Sequence, residues 1–118
     1  MPALFIVQAA VSRDPAQRDR YREYQARVQP LIAAHGGRLL ATGANLEVLE
    51  GEHDGRRLIV FEFPSMEALR AFWQSPEYAE VKLLRAGAAH IDAWAMPADI
   101  AQPIAPGPAH DQDLAGTA

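Results

Sequence analysis

Arg56–Arg85, RRLIVFEFPSMEALRAFWQSPEYAEVKLLR, carries the order of elements that decides the fold. From Arg57 to Phe63 the run is aliphatic and aromatic with one glutamate in it, which reads as a strand inside a sheet. Pro64 stops that strand. Ser65 offers a hydroxyl to the free amides of a helix start, and Met66, Leu69, Phe72 and Trp73 then recur at helical spacing to make one apolar face. Ser75-Pro76 closes this helix and opens another, in which Tyr78, Val81, Leu84 and Arg85 share a face before Gly87 stops it.

Upstream, Ala3 to Val11 is almost entirely apolar, as expected of a strand buried on both faces. Asp14 caps the helix that follows, Pro15 suits its first position, and Gln17 completes a capping box. Tyr21, Tyr24, Val28, Leu31 and His35 form its inward stripe. Pro30 removes a helical hydrogen bond and predicts a kink or break, and Gly36-Gly37 ends the helix. Arg38–Thr42 and Leu46–Glu50 read as one strand interrupted by a bulge or bend at Gly43-Ala44-Asn45. Gly51–Gly55 is the hairpin loop leading back into Arg57–Phe63, and His90 to Met96 is the last strand.

Strand, helix, strand, strand, helix, strand is the split βαβ, ferredoxin-like order, with an extra short helix before the last strand. It predicts an α+β fold with a four-stranded antiparallel sheet in the order 4-1-3-2. The two most apolar strands then fall in the centre, where burial on both faces favours them. Helices cover one face of such a sheet, so the other needs a partner, and a homodimer with sheets face to face is expected. Residues 1–96 make this domain and 97–118 a C-terminal extension. The extension has Pro97, Pro103, Pro106 and Pro108 with Ile100 and Ile104 among them, and predicts a stiff arm lying across the partner protomer.

At 118 residues, 49 % of them hydrophobic and 22 % charged, the chain has room for one core and the composition of a globular protein. A formal charge of −4 disfavours nucleic acid. Arg18, Arg20, Arg22 and Arg27 cluster, but Asp19 and Glu23 interleave with them, as on a solvated helix face. There is no cysteine, which excludes disulfides and thiolate chemistry. MPALFIVQAAV has no basic flank and is too short to span a bilayer, so a cytoplasmic protein without membrane contact is expected.

Tyr24, Gly36-Gly37-Arg38, Leu49-Glu50-Gly51, Phe63-Pro64-Ser65, Ser75-Pro76-Glu77-Tyr78 and Leu84-Arg85 together resemble the family called domain of unknown function 1330, over Ala3 to Met96. The proline-rich extension departs from that pattern. The resemblance implies a dimeric α+β barrel with a pocket. That superfamily includes oxygenases, isomerases and enzymes acting on lactones or aromatic compounds.

Strand alternation sorts the candidate site residues. Ile59, Phe61 and Phe63 are the bulkier set and should meet the helices, leaving Leu58, Val60 and Glu62 on the other face. A carboxylate inside a strand must be paired, bonded or protonated. Glu62 is therefore either a partner of Arg85, Arg38 or Gln8 that fixes the dimer register, or a general base or acid. Glu50 would share its face if the bulge keeps parity. His90 and Asp92 share a face with Trp94, as a base and its orienting carboxylate would. Arg85 and Arg38 suit an anionic substrate group, while Tyr24 and Tyr78 suit a core with wet hydroxyls and a place on the substrate pocket. His35 reads as a helix cap, and His53 and His110 stand apart in a loop and the tail. Scattered histidines without ligand spacing make no metal site, and no cofactor is expected.

Three functions remain open on these residues: an enzyme of isomerase or oxygenase type doing acid–base chemistry on a small, partly apolar molecule, without metal or organic cofactor; a small-molecule-binding or sensing dimer using the same inter-sheet or sheet–helix cavity; and a structural or interaction module.

Overall fold

The computed structural model describes residues 1–99; the prolines and isoleucines of the extension beyond Asp99 lie outside them. Strands β1 (Ala3–Val11), β2 (Arg38–Gly43), β3 (Arg57–Phe63) and β4 (Ala89–Pro97) form one antiparallel sheet in the order β2-β3-β1-β4. Helices α1 (Pro15–Ala34), α2 (Met66–Trp73) and α3 (Pro76–Lys82) and a 3₁₀ turn at Leu83–Arg85 complete the fold. The two most apolar strands do occupy the centre.

Alternation on β1 sets the two faces of the sheet. Ala3, Phe5, Val7 and Ala9 are buried in the core, while Leu4, Ile6 and Gln8 between them are only half-buried. Register carries this across the sheet: Phe5 pairs with Phe61 and Ala95, and Ile6 with Val60 and Trp94. Ile59, Phe61 and Phe63 accordingly meet the helices, and Leu58, Val60 and Glu62 face away from them. Phe5, Phe63, Phe72 and Tyr78 make an aromatic chain through the core, with ring centroids 5.9 Å apart for Phe5–Phe72, 5.7 Å for Phe63–Phe72 and 4.6 Å for Phe72–Tyr78. Such contacts add to simple area burial.

The helix starts use the expected caps. Asp14 Oδ2 accepts from the Gln17 amide at 3.1 Å, and Ser65 Oγ from the Ala68 amide at 3.0 Å. Buried Ser75 joins two helices: its hydroxyl accepts from the Tyr78 amide (3.1 Å) and donates to the Phe72 carbonyl (2.8 Å). His35 closes α1, its Nδ1 lying 2.9 Å from the Leu31 carbonyl oxygen.

Two local expectations differ from the structure. Helix α1 continues through Pro30 without a break, because solvent can satisfy the carbonyl that proline leaves free on that exposed turn. Leu46–Glu50 is not a strand. β2 ends at Gly43, after a bulge between Leu39 and Ala41, and Asn45 adopts φ 58° in the next turn. A left-handed residue there turns the backbone out of the ladder, so residues 44–56 form a loop.

Gly37 is required for a close approach. A Cβ at this position would lie 2.6 Å from Ile32 Cγ2 and 2.7 Å from Phe63 Cζ, whereas one at Gly43 would meet nothing within 4 Å. Gly37→Ala should therefore cost about 1–3 kcal/mol through overpacking, and Gly43→Ala less than about 0.5 kcal/mol. Urea unfolding of the two variants checks this, and equal midpoints would remove the close-approach explanation.

Candidate functional site

A cavity of about 620 Å³ lies between α1 and the sheet. Its walls are apolar: Phe5, Ile59 and Phe61 from the strands, Val28 and Ile32 from the helix, and Leu39 at the β2 edge. Ile59 and Phe61, on the sheet side of the cavity, are only partly buried. Polar groups enter at few points. Tyr21, Tyr24, Gln25 and Gln29 come from α1, Thr42 and Arg38 from β2, and Arg57 from the start of β3. Arg57 Nη1 donates to Thr42 Oγ1 at 3.1 Å. Among the described residues no aspartate, glutamate or histidine lines this cavity.

Tyr24 connects the cavity to the protein beneath it. Its hydroxyl is 3.0 Å from that of Tyr78, which is 1 % exposed, and Arg85 Cζ lies 5.8 Å from the Tyr24 ring centroid. The 3₁₀ turn brings Arg85 against α1 at this point. Its Nε is buried with no hydrogen-bond partner among the described residues. Burial, reinforced by Tyr78, pushes the Tyr24 phenol far above its ordinary pKa, so at neutral pH it is a hydrogen-bonding group and not a base. Burial raises Tyr21 as well. Burial opposes the Arg85 charge, but the neighbouring Tyr78 and Tyr24 outweigh it and its pKa lies above the ordinary value.

Glu62, His90, Asp92 and Trp94 stand on the opposite face of the sheet. Glu62 pairs with Arg38, whose Nε and Nη2 each lie 2.7 Å from Oε1. Of the three partners open to Glu62, Arg38 is the one the fold supplies, because the two residues are register partners on β2 and β3. Arg38 is also the residue that reaches both faces, since it lines the cavity as well. Glu50 sits exposed in the 44–56 loop, where it shares no strand face with Glu62.

His90, Asp92 and Trp94 do share a face. His90 Nε2 is 3.7 Å from Asp92 Oδ2, a longer approach than the 2.7 Å from Arg56 Nη1 to the same oxygen. Arg56 also holds Asp54, at 2.7 Å through Nε. The Arg56 backbone N–H, with its guanidinium, keeps the Asp54 carboxyl below the usual carboxylate range. His53 Nδ1 accepts from the Gly55 amide at 3.0 Å. His53, Asp54 and Arg56, with Gln8, Val48 and Trp94, line an open recess that neither His90 nor Asp92 reaches.

The sequence reading thus placed Tyr24 and Arg38 at the cavity but passed over Arg57, Gln25 and Gln29. A signal for them exists. Gln25 and Gln29 sit at i+4 from Tyr21 and Gln25, beside the apolar stripe, and Arg57 has the parity of Ile59. Polar residues bordering an otherwise apolar face mark a helix that is not packed along its whole width. Among the described residues no three His, Asp or Glu side chains come together to hold a metal ion, and no helix is long and apolar enough to cross a membrane.

The described strands and helices make a ferredoxin-like α+β fold. The chain belongs to the family described as Domain of unknown function (DUF1330), whose model matches residues 2–98. Among solved structures it is similar to a dimeric ferredoxin-like protein of unknown function from Jannaschia sp. CCS1, with 15 % identity over 83 % of this chain and 100 % of that one and a TM-score of 0.61. It is also similar to SnoaB, a cofactor-independent oxygenase from Streptomyces nogalater (14 % identity, 87 % of this chain and 98 % of that one, TM-score 0.59). A third is the hydroxynitrile lyase from Passiflora edulis (18 % identity, 86 % of this chain and 97 % of that one, TM-score 0.62). At these identities the likeness is one of fold. No curated protein matches the chain.

The tyrosine cluster predicts a pH dependence. A phenol whose folded pKa is raised stabilises the fold below its unfolded value of 10.0, and that contribution is lost as pH rises beyond it. The urea midpoint should hold level to pH 10.0 and fall above it. Tyr24→Phe should lessen that fall, with Tyr21 accounting for the remainder, while lowering stability at pH 7 by about 1–3 kcal/mol because the buried Tyr78 hydroxyl loses its partner. A wild-type midpoint that does not move between pH 9 and 11 would contradict this.

Proposed function

We propose that this protein is a homodimer that binds a small, flat, mostly apolar molecule in the helix–sheet cavity of each protomer. The observation behind this reading is the cavity lining: aromatic and aliphatic walls, hydrogen-bonding amides and phenols at a few points, and arginines at the rim. That is the usual make-up of a ligand pocket. Acid–base chemistry by the protein is not part of the reading. Among the described residues the lining offers no carboxylate or imidazole, and its tyrosines are held neutral. Glu62 and Asp92 each already bind an arginine on the far face, which suits them to fixing the register of two sheets. A cytoplasmic location belongs to the same proposal and agrees with a chain free of cysteine.

An enzymatic role is supported by one feature, the guanidinium of Arg57 beside the apolar walls, which would stabilise an anion developing on a bound substrate. The oxygenase and lyase with the same fold keep that reading in view. It requires a substrate that supplies its own base.

The dimer follows from the helix-free face, where Leu4, Ile6, Leu58 and Val60 are half-buried and Trp94 and Met96 are 50 % and 45 % exposed. Val60→Asp, in the middle row of that face, should give a monomer at micromolar concentration in sedimentation velocity runs, where wild type gives a dimer. A dimer that survives the charge would place the interface elsewhere.

The uncharged probe 1-naphthol tests the cavity. It should bind saturably to wild type, and Ala33→Trp, on the exposed side of α1 at the cavity wall, should weaken it at least tenfold with the fold intact by circular dichroism. Undiminished binding to the filled variant would sink the proposal.

A further inference from the structure

We infer that the ligand of this cavity carries a dianionic head group of phosphate type, held by Arg18, Arg22 and Arg57; the inference rests on the ligand-binding reading above. A smaller cavity of about 290 Å³ adjoins the first. Tyr21, Gln25, Arg57 and Ile59 line both, so the two are continuous. Arg18 and Arg22 face the smaller one from α1, and Arg57 faces it from β3. Spacing on the helix explains the row: residues 18, 22 and 25 fall on one face, with Gln25 leading from the basic end into the apolar chamber.

Charge makes this end unlike the rest of the molecule. The chain is acidic overall, at −4, yet three guanidiniums line one small cavity whose walls, among the described residues, include no carboxylate. Two arginines at i and i+4 repel each other on a helix. The compensation at hand is thin. Arg22 approaches Asp19 at 3.6 Å with both side chains more than two-thirds exposed (72 % and 76 %), a pair of small worth in water. Arg57 gives one N–H to Thr42. The Arg18 side chain has no hydrogen bond or ion pair among the described residues, whereas Arg20 and Arg27 on the same helix are engaged by Gln17 and the Leu83 carbonyl, and by Glu23.

With Asp19 set against one guanidinium, two positive charges remain for an incoming anion. A phosphate ester fits them: it is dianionic near neutral pH, and its oxygens match the planar fork of arginine. Its body would extend past Gln25 between Val28, Ile59 and Phe61. The ligand class is therefore an aryl or short-chain phosphate, or a dianion of the same shape.

The matched pair 1-naphthyl phosphate and 1-naphthol, one body with and without the dianion, tests this by isothermal titration on the intact dimer. In wild type the phosphate should bind at least tenfold more tightly than the alcohol. That advantage should fall with added salt and shrink to less than about threefold in the double variant Arg18→Gln/Arg22→Gln and in Arg57→Gln. Equal affinities in wild type, or an advantage that persists in both variants, would overturn the basic-end assignment while leaving the cavity reading intact. Phosphate binding that Ala33→Trp does not weaken would instead refute the cavity reading and leave the anion site standing. Failure of both compounds to bind wild type would end both proposals.

Discussion

The constraint on which this molecule depends is that its two central strands are apolar on both faces while its helices can cover only one. β1 and β3 place Phe5, Val7, Ile59 and Phe61 toward the helices and Leu4, Ile6, Leu58 and Val60 away from them. Burying the second set is worth roughly 1.5–3 kcal/mol for each large side chain fully removed from water. Among the described residues no helix covers that face. Polar residues on it sit toward the margins, with Arg38–Glu62 at the β2 end and Arg56–Asp92 near the start of β4.

The same economy explains the cavity. Three helices share one face of a four-stranded sheet, and α2 and α3 are short, at 8 and 7 residues. Ile59 and Phe61 of β3 stay partly buried, and residues of α1, β2 and β3 line the space between them. The core closes tightly where Phe63, Phe72 and Tyr78 meet, each fully buried, and opens toward Arg57 and Thr42. A rigid aromatic core on one side and a half-lined wall on the other give a chamber that does not depend on a moving part.

Much of this could be seen in the sequence. Element order, sheet order, caps at Asp14, Ser65 and Ser75, and the faces of β3 all follow from period and from capping chemistry, which are local. What could not be read depends on distance in space. The Leu46–Glu50 segment alternates like a strand, but pairing was decided by the left-handed turn at Asn45 and by the bulge, which period does not report. Glu62 was legible as a carboxylate in need of a partner. That the partner is Arg38, and that its face is not the cavity face, needed the register of β2 against β3. That Arg85 stands behind Tyr24 also needed the packing of the 3₁₀ turn against α1. Arg57 escaped because a charge at a strand's first residue looks like any strand end.

The irregularity of β2 has a further effect on how this protein behaves at high concentration. An edge strand offers unpaired amides and carbonyls to any chain that can align with it, and Leu39 and Leu40 on β2 are 53 % and 43 % exposed. A regular strand carrying such residues would be a template for fibrils. The bulge between Leu39 and Ala41 interrupts the repeat of its outward hydrogen-bonding groups, and after Gly43 the chain leaves the sheet, so no long straight edge is available for copying. At the opposite edge, β4 ends in Pro97, which has no amide to lend. The bulge and the early end of β2 thus shorten the edge that this strand offers to another chain.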